Sequence, residues 1–422
     1  MRSVLTTNIL LSVVYLTVPE KRTPAAQPSI LANTFAGLDD ERILVGRGPQ
    51  RMELLGKNKL ELRAFCQSLG EPAYRGAQLY HALYAERNLV VSSMSNLPVS
   101  LRAKFAENAE ITLPTVKHKY SSSDGSTRYL FGLPAPEEQP RMKGAAVEAV
   151  FMPSEGRQTI CISTQAGCAV DCQFCLTAKL GLIRNLTPGE ILAQVLLPLI
   201  EMGRPAESQG AASAGENSLA GRTNVVLMGQ GEPLLNFENT FAALRILLDP
   251  EGVALSPKHV TLSTSGIVPG IDRMAEEPVR PKLAISLNAS HDEQRDRLMP
   301  INKKYPLKEL LAACRRYPLR NWEHITFEYV LLGGVNDSAD DARRVVKLLA
   351  PLKRVKVNLI PWNPGALPFR ESQEDRIDEF RRILTNRDVP AFVRYSRGRD
   401  VMAACGQLAL QEIQSSPLPL LH

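Results

Sequence analysis

The chain has 422 residues, 44% of them hydrophobic and 22% charged, with a formal net charge of +6. That balance excludes a disordered or collagen-like chain, and the length accommodates two to three globular domains. Seven cysteines is an odd number, and four of them, Cys161, Cys168, Cys172 and Cys175, fall within fifteen residues. Such crowding argues for metal or redox chemistry in a reducing compartment and against a secreted disulfide framework.

Residues 1–50 open with Arg2 and an apolar run from Ile9 to Val18 that Ser12 and Thr17 interrupt. The run is too short to span a bilayer. With the polar, Pro-rich stretch after it, 1–50 reads as a poorly ordered extension or a start codon placed too early. Residues 51–114 read as a small helical accessory domain. There Leu60, Leu62, Phe65 and Leu69 lead to Gly70, and Tyr74, Leu79, Tyr80 and Leu83 follow at helical spacing. Residues 115–158 alternate apolar and polar around the turn Ser123 to Ser126, which predicts a β-hairpin extension. In it Val147, Ala149 and Phe151 face one way and Glu148 the other.

From 159 to 400 strands and helices alternate. The predicted strands are Thr159–Ser163, Asn224–Met228, His259–Thr264, Lys282–Leu287, Ile325–Leu331 and Lys356–Ile360. Predicted helices between them include Pro188–Met202, Phe237–Leu248 and Leu307–Tyr317. This order predicts an α/β fold whose parallel sheet is either open or a barrel, and six strands suggest a partial (β/α)6 barrel. Residues 205–222, rich in Ala, Ser and Gly, read as a flexible insert, and 401–422 as a C-terminal segment carrying Cys405. Chemistry in such barrels collects at the C-terminal ends of strands. The cysteine loop, Gly229 to Pro233, Ser263 to Gly266, Ser286 to Asn288, and Trp362 to Pro364 all fall there.

Cys168, Cys172 and Cys175 have the spacing C-x3-C-x2-C. A 4Fe–4S cluster usually takes four thiolates, so three leave one iron open to a ligand that is not protein. A structural zinc site wants a second cysteine pair or a histidine, and the loop has neither. The bland alternative is three buried cysteines. Alone, Cys161, Cys405, Cys66 and Cys314 also read as core residues, and Glu148 as a solvated carboxylate. The basic clusters Lys303 with Lys304, Arg315 with Arg316, Lys353 with Arg354 and Lys356, and Arg394 with Arg397 and Arg399 are suited to phosphate but are commonly solvated faces.

The cysteine loop resembles that of radical S-adenosylmethionine (SAM) enzymes, in which SAM chelates the open iron and is cleaved to a 5′-deoxyadenosyl radical. More narrowly, Cys161 to Cys168, Met228 to Asn236, Val260 to Gly266, Pro300 to Lys304, Asn358 to Pro364 and Ala403 to Gln407 resemble the RlmN/Cfr family of RNA adenine methyltransferases. The likeness runs from about Leu54 to Gln414.

That resemblance implies methylation at C2 of an adenosine in 23S rRNA and of the adenosine 3′ of the anticodon in tRNA, with two SAM per turnover. It implies that Cys168, Cys172 and Cys175 hold the cluster. Cys405 is then the methyl carrier, Cys161 the thiol that resolves the adduct through a transient disulfide, and Glu148 the proton acceptor. Gly231, Glu232, Ser263, Ser286, Leu287, Asn288 and Asn363 match SAM-contacting positions. Asn288 stands where some members have His, and Gln230, also variable, is expected to present only backbone. Lys57, Lys59, Arg63 and Arg75 match an RNA-binding accessory domain. The resemblance further implies a cytoplasmic monomer served by a flavodoxin- or ferredoxin-type electron donor, with no membrane partner. The alternative within the family is a Cfr-like C8 methyltransferase of the same rRNA adenosine, which gives antibiotic resistance. A radical SAM activase and an Fe–S electron carrier are the rival classes; Cys405 counts against the first and the SAM loops against the second.

Overall fold

The computed structural model describes residues 51–134, 144–203 and 223–408. The expected extension 1–50, the insert 205–222 and the C-terminal segment beyond 408 lie outside the described residues. Strand β1 (Met52–Glu53) leads into helix α1 (Lys59–Ser68), which a capping box starts. The Asn58 side chain accepts from the amides of Leu60 and Glu61, and Glu61 returns a bond to the Asn58 amide at 2.8 Å. Gly70, at φ +75°, follows its end. Leu62 and Cys66 are buried, but Leu60 is 74% exposed. Two residues apart, Leu60 and Leu62 stand on opposite sides of a helix and cannot share an apolar face.

Helix α2 (Tyr74–Tyr84) packs on α1 through Gly76. Helix α3 (Val99–Asn108) and strand β2 (Ala109–Glu110) close the unit, β2 pairing with β1. Its apolar residues join one core with those of the barrel. Tyr80 donates to Asp249 at 2.8 Å and Lys59 pairs with Glu251 at 2.6 Å, fixing the two parts together.

Strands β3 (Thr115–Ser121), β4 (Thr127–Gly132), β5 (Ala146–Ser154) and β6 (Arg157–Cys161) form an antiparallel meander. A short ribbon of β7 (Gln165–Gly167) and β8 (Leu182–Asn185) brackets the cysteine loop and the single turn α4 (Leu176–Lys179). The alternating part follows: α5 (Pro188–Gly203), β9 (Thr223–Leu227), α6 (Phe237–Leu248), β10 (Val260–Thr264), α7 (Val268–Glu276), β11 (Lys282–Ser286) and α8 (Asp292–Leu298). It ends with α9 (Leu307–Arg316), β12 (Ile325–Leu331), α10 (Ala339–Leu349), β13 (Val355–Pro361), α11 (Glu374–Thr385) and β14 (Ala391–Val393).

One ten-stranded sheet runs β14-β13-β12-β11-β10-β9-β6-β5-β4-β3. Pairs from β14 to β6 are parallel. Among the described residues the parallel strands thus number seven (β6 and β9 to β14) where the sequence suggested six. The extra one, β14, is three residues long and carries too little alternation to read. The sheet ends at β14 and β3, and the segment after β14 reaches across to the β3–β4 turn. Gly398 N donates to Asp124 Oδ2 at 2.9 Å, and Asp400 accepts from Ser122 Oγ at 2.6 Å and Ser123 N at 3.0 Å. Among the described residues, no helix is long and apolar enough to cross a membrane.

A Cβ at Gly76 would lie 2.4 Å from the Arg63 Cα and N of α1. Helix propensity alone makes Gly→Ala stabilising by about 1 kcal/mol. The backbone clash reverses the sign: Gly76→Ala is expected to destabilise by about 1–3 kcal/mol, seen as a lower urea midpoint with unchanged slope.

Candidate active site

The cysteine loop is shaped by backbone geometry. Gly167, at φ +73°, lies so close to the opposite limb that a Cβ would fall 1.8 Å from the Gly181 carbonyl. Cys168 N donates to that carbonyl at 3.0 Å, and Gln173 N donates to Leu298 O at 2.9 Å. Phe174 packs with Leu298, Met299, Leu332 and Trp362. Cys168, Cys172 and Cys175 line one cavity at the C-terminal ends of the strands. Cys66 and Cys314 are buried in the core away from it.

Among the described residues, no three His, Cys, Asp or Glu side chains converge as ligands of a single metal ion do. The three cysteines surround a space instead, a donor set of soft sulfurs that fits a polynuclear iron–sulfur group. As bare thiols they are unfavourable to ionise. Burial pushes Cys168 up to about 12 and also raises Cys172 well above its ordinary value, and metal binding replaces those protons.

Gly231, Glu232, Ser263, Ser286, Asn288, Asn363 and Cys405 line the same cavity. Gly231 has φ +95°, and a Cβ there would meet Gln165 at 2.5 Å. Glu232 is buried; its carboxylate accepts from Ser265 N at 2.6 Å and Leu234 N at 3.1 Å, while burial pushes it up. Ser263 and Ser286 hydroxyls lie 3.5 Å apart. Asn288, at φ +54°, accepts from Val330 N at 2.8 Å. Asn363 Nδ2 donates to Ser396 Oγ at 2.9 Å and to the Cys405 carbonyl at 3.2 Å. Leu287 is different: its side chain is in the core, and only its backbone is engaged, with Glu328 and Arg295.

Cys405 exposes surface, but that surface is cavity wall. Burial within the molecule, then the charge of Glu328, push its thiol up to about 11. A second, adjoining cavity is lined by Cys405 and Cys161 together with apolar Met152, Val226 and Leu408. Burial also raises the Cys161 thiol. Both thiols are free, so the disulfide expected between them is absent from this structure. Two protonated thiols do not react with each other without an oxidising step.

Glu148 is fully buried and paired with Arg128 at 2.5 Å. It lines neither cavity that Cys405 lines. Gln230 presents more than backbone, since its Nε2 stands 3.4 Å from Glu148 Oε2. Three residues escaped the sequence reading. Gln165 accepts from Glu232 N at 2.8 Å and donates to Asn185 at 2.8 Å, tying the cysteine ribbon to the Gly231 loop. Arg295, fully buried, donates to the carbonyls of Ser265, Ser286 and Leu287 at 2.6, 3.0 and 3.1 Å. Glu328 lines the cavity from β12. None carries a local signal; only the fold brings them in.

Comparison with known proteins agrees with this geometry. The Radical SAM superfamily model matches residues 212–349, and the Ribosomal RNA large subunit methyltransferase N-terminal domain model matches residues 52–111. A dual-specificity RNA methyltransferase RlmN from Anaeromyxobacter sp. (strain Fw109-5) is 45% identical over 356 residues, covering 83% of this chain and 88% of that protein. RlmN 2 from Myxococcus xanthus (strain DK1622) is 45% identical over 350 residues, covering 82% and 87%. A crystal structure of a radical SAM methyltransferase from Sphaerobacter thermophilus superposes with TM-score 0.74 at 42% identity, covering 85% of this chain and 99% of that one. The fold is that of a radical SAM methyltransferase, an enzyme class that works with SAM and a 4Fe–4S cluster. Within it, the chain belongs to the RlmN family of dual-specificity RNA methyltransferases.

The Gly167 contact yields a paired test. Gly167→Ala, strained by φ and by the backbone clash, is expected to lower the thermal melt by more than Gly181→Ala does and to abolish cluster assembly, read as iron content and visible absorbance after reconstitution of the folded protein. Gly181→Ala, with nothing within 4 Å of the added Cβ despite φ +63°, is expected to assemble the cluster at a cost of about 1–2 kcal/mol in stability.

Proposed function

We propose that this enzyme methylates C2 of an adenosine in 23S rRNA, at the peptidyl transferase centre, and of the adenosine 3′ of the anticodon in tRNA. The observation that carries the reading is the place of Cys405, on the wall between the three-cysteine cavity and the cavity of Cys161. C2 of adenine is an electrophilic amidine carbon, so direct methyl transfer from a sulfonium is closed to it. A protein thiol that first takes up the methyl group divides one hard transfer into easier ones.

Cys168, Cys172 and Cys175 would hold the 4Fe–4S cluster, and Gly231, Glu232, Ser263, Ser286, Asn288 and Asn363, with the Leu287 backbone, would hold SAM. When bound, these groups supply the methyl group and the radical chemistry, two SAM being used per turnover. Cys405 carries the methyl group and becomes joined to the base. Cys161 then attacks the Cys405 sulfur: an S–S bond forms, the S–CH2 bond to the base breaks, its electron pair leaves on the methylene carbon, and a proton taken up there completes the methyl group. A transient Cys161–Cys405 disulfide remains. Glu148, held by Arg128, is the family-implied proton acceptor. The reading includes a flavodoxin- or ferredoxin-type electron donor and a monomer working in the cytoplasm. The C8 alternative shares the cysteine arrangement; the Anaeromyxobacter and Myxococcus relatives are both named RlmN, which supports C2.

Expression in a strain lacking the activity, followed by nucleoside mass spectrometry, tests the reading. The wild type is expected to restore 2-methyladenosine in both RNAs. Cys405→Ala should keep its cluster and transfer no methyl group. Cys161→Ala should accumulate an RNase-sensitive protein–RNA crosslink that the Cys161→Ala/Cys405→Ala double variant lacks. Detection of 8-methyladenosine in place of 2-methyladenosine overturns the regiochemistry; activity surviving Cys405→Ala overturns the covalent route.

A further inference from the structure

Glu328 stands in the middle of β12, in register with Ser286 on β11 and Asn358 on β13. Directly paired residues in a sheet point to the same face. Phe327 and Tyr329, its neighbours, are buried in the core on the other face, where Tyr329 packs on Phe380 of α11. Glu328 and Val330 therefore point inward and line the cavity that Cys405 and the three cysteines share. Glu328 is 8% exposed. Its Oε1 accepts from Asn358 Nδ2 at 2.9 Å, and Asn358 Oδ1 accepts from Arg394 Nε at 3.2 Å. Among the described residues, no cation forms an ion pair with it.

An inward carboxylate without a cation partner is costly unless it has work to do. Two other buried glutamates lie near these cavities. Glu148 has its cation in Arg128 and lines neither of them. Glu232 lines the first, but its carboxylate is taken up by the amides of Ser265 and Leu234. Glu328 is also the charged side chain that acts most strongly on the Cys405 thiol. We infer that Glu328 is the proton acceptor for Cys405 when that cysteine takes up its methyl group. This rests on the reading of Cys405 as methyl carrier and deepens it.

The step balances. The Cys405 S–H bond breaks and its electron pair forms S–CH3. The CH3–sulfonium bond of SAM breaks, leaving the neutral thioether S-adenosylhomocysteine, and the proton passes to the Glu328 carboxylate. No electron is gained or lost overall. A buried carboxylate and a buried sulfonium become two neutral groups, which favours the products in a low-dielectric cavity. The acceptor is tuned for this. Burial pushes Glu328 up to about 7, against the Asn358 hydrogen bond and the charges of Arg394 and Lys356. An acid–base group is most effective near the working pH.

The test uses full-length protein with reconstituted cluster, with neither RNA nor reductant. Two readouts are taken at Cys405 by peptide mass spectrometry: transfer of a trideuteromethyl group from labelled SAM, and alkylation by iodoacetamide against pH without SAM. In the wild type, methyl transfer should rise as pH passes about 7. In Glu328→Gln it should fall by roughly a hundredfold and lose that rise. Removing the carboxylate also removes a like charge beside the thiolate, so half-alkylation of Cys405 should move down by about one pH unit. The two readouts thus go opposite ways, which lost packing would not produce. Glu328→Asp keeps the charge, and should restore part of the methyl transfer and the wild-type alkylation midpoint. Wild-type transfer in Glu328→Gln, or a midpoint that stays or rises, overturns the role of Glu328 while leaving the carrier reading intact. No label on Cys405 of the wild type overturns both.

Discussion

The rest of the site depends on where one residue, Cys405, is held, at the border of two adjoining cavities. It borders the cavity of the three cysteines on one side and the apolar cavity of Cys161 on the other. What holds it there is a short list of bonds from the tail to the barrel. Leu176 N donates to Gly406 O at 2.8 Å, Thr177 Oγ1 to Leu408 O at 2.6 Å, and Asn363 Nδ2 to Cys405 O at 3.2 Å. Gly406, at φ +79°, permits the turn. With the bond from Gln407 Nε2 to the Pro364 carbonyl at 2.7 Å, these four hydrogen bonds are worth roughly 2–6 kcal/mol net. That is enough to seat the cysteine.

Two of the bonds come from the turn that follows Cys175, so the cysteine loop and the tail shape each other. The loop in turn rests on Gly167 and on the Gln165 bridge to the Gly231 loop. Arg295 ties the ends of β10 and β11 by their carbonyls. Burial of that guanidinium pulls it down to about 10, still charged near neutrality, so its donors stay available. The interior is thus held by groups whose partners are backbone atoms, which do not rearrange when a side chain is replaced.

The parts legible in sequence were those whose signal is local. The C-x3-C-x2-C spacing, the alternation of strands and helices, and the position of the stretches from Gly229 to Asn363 at strand ends read directly. Glu328 did not, because one carboxylate within the strand Ile325–Leu331 says nothing until Ser286 and Asn358 arrive on either side. Arg295 did not either, because one arginine in the run Asp292–Leu298 gives no local sign that it is buried. Leu60 read as core because an apolar residue within a helical run satisfies composition without satisfying phase. The turn Ser123 to Ser126 read as a simple hairpin, yet its Asp124 bonds a glycine 274 residues away. Long-range pairing of that kind leaves no trace in a single sequence.

That last contact matters for the open side of the barrel. The sheet stops at β14 and β3, and it is polar bonding, not strand pairing, that carries the chain across. Burial pushes Asp124 up, but bonds from Gly398 and Ser126 outweigh it and hold the carboxyl well below its usual range. Asp400 is lowered likewise by Ser122 and Ser123 against burial. A depressed carboxyl contributes stability above its unfolded value near 3.8 and loses it only as pH falls through the folded one. The crossing is therefore fully made at every pH at which the thiols beneath it could do chemistry. It is also made of surface bonds that water can replace. The polar seam, made of side chain–backbone bonds at Asp124 and Asp400, keeps the segment that leads to Cys405 in place.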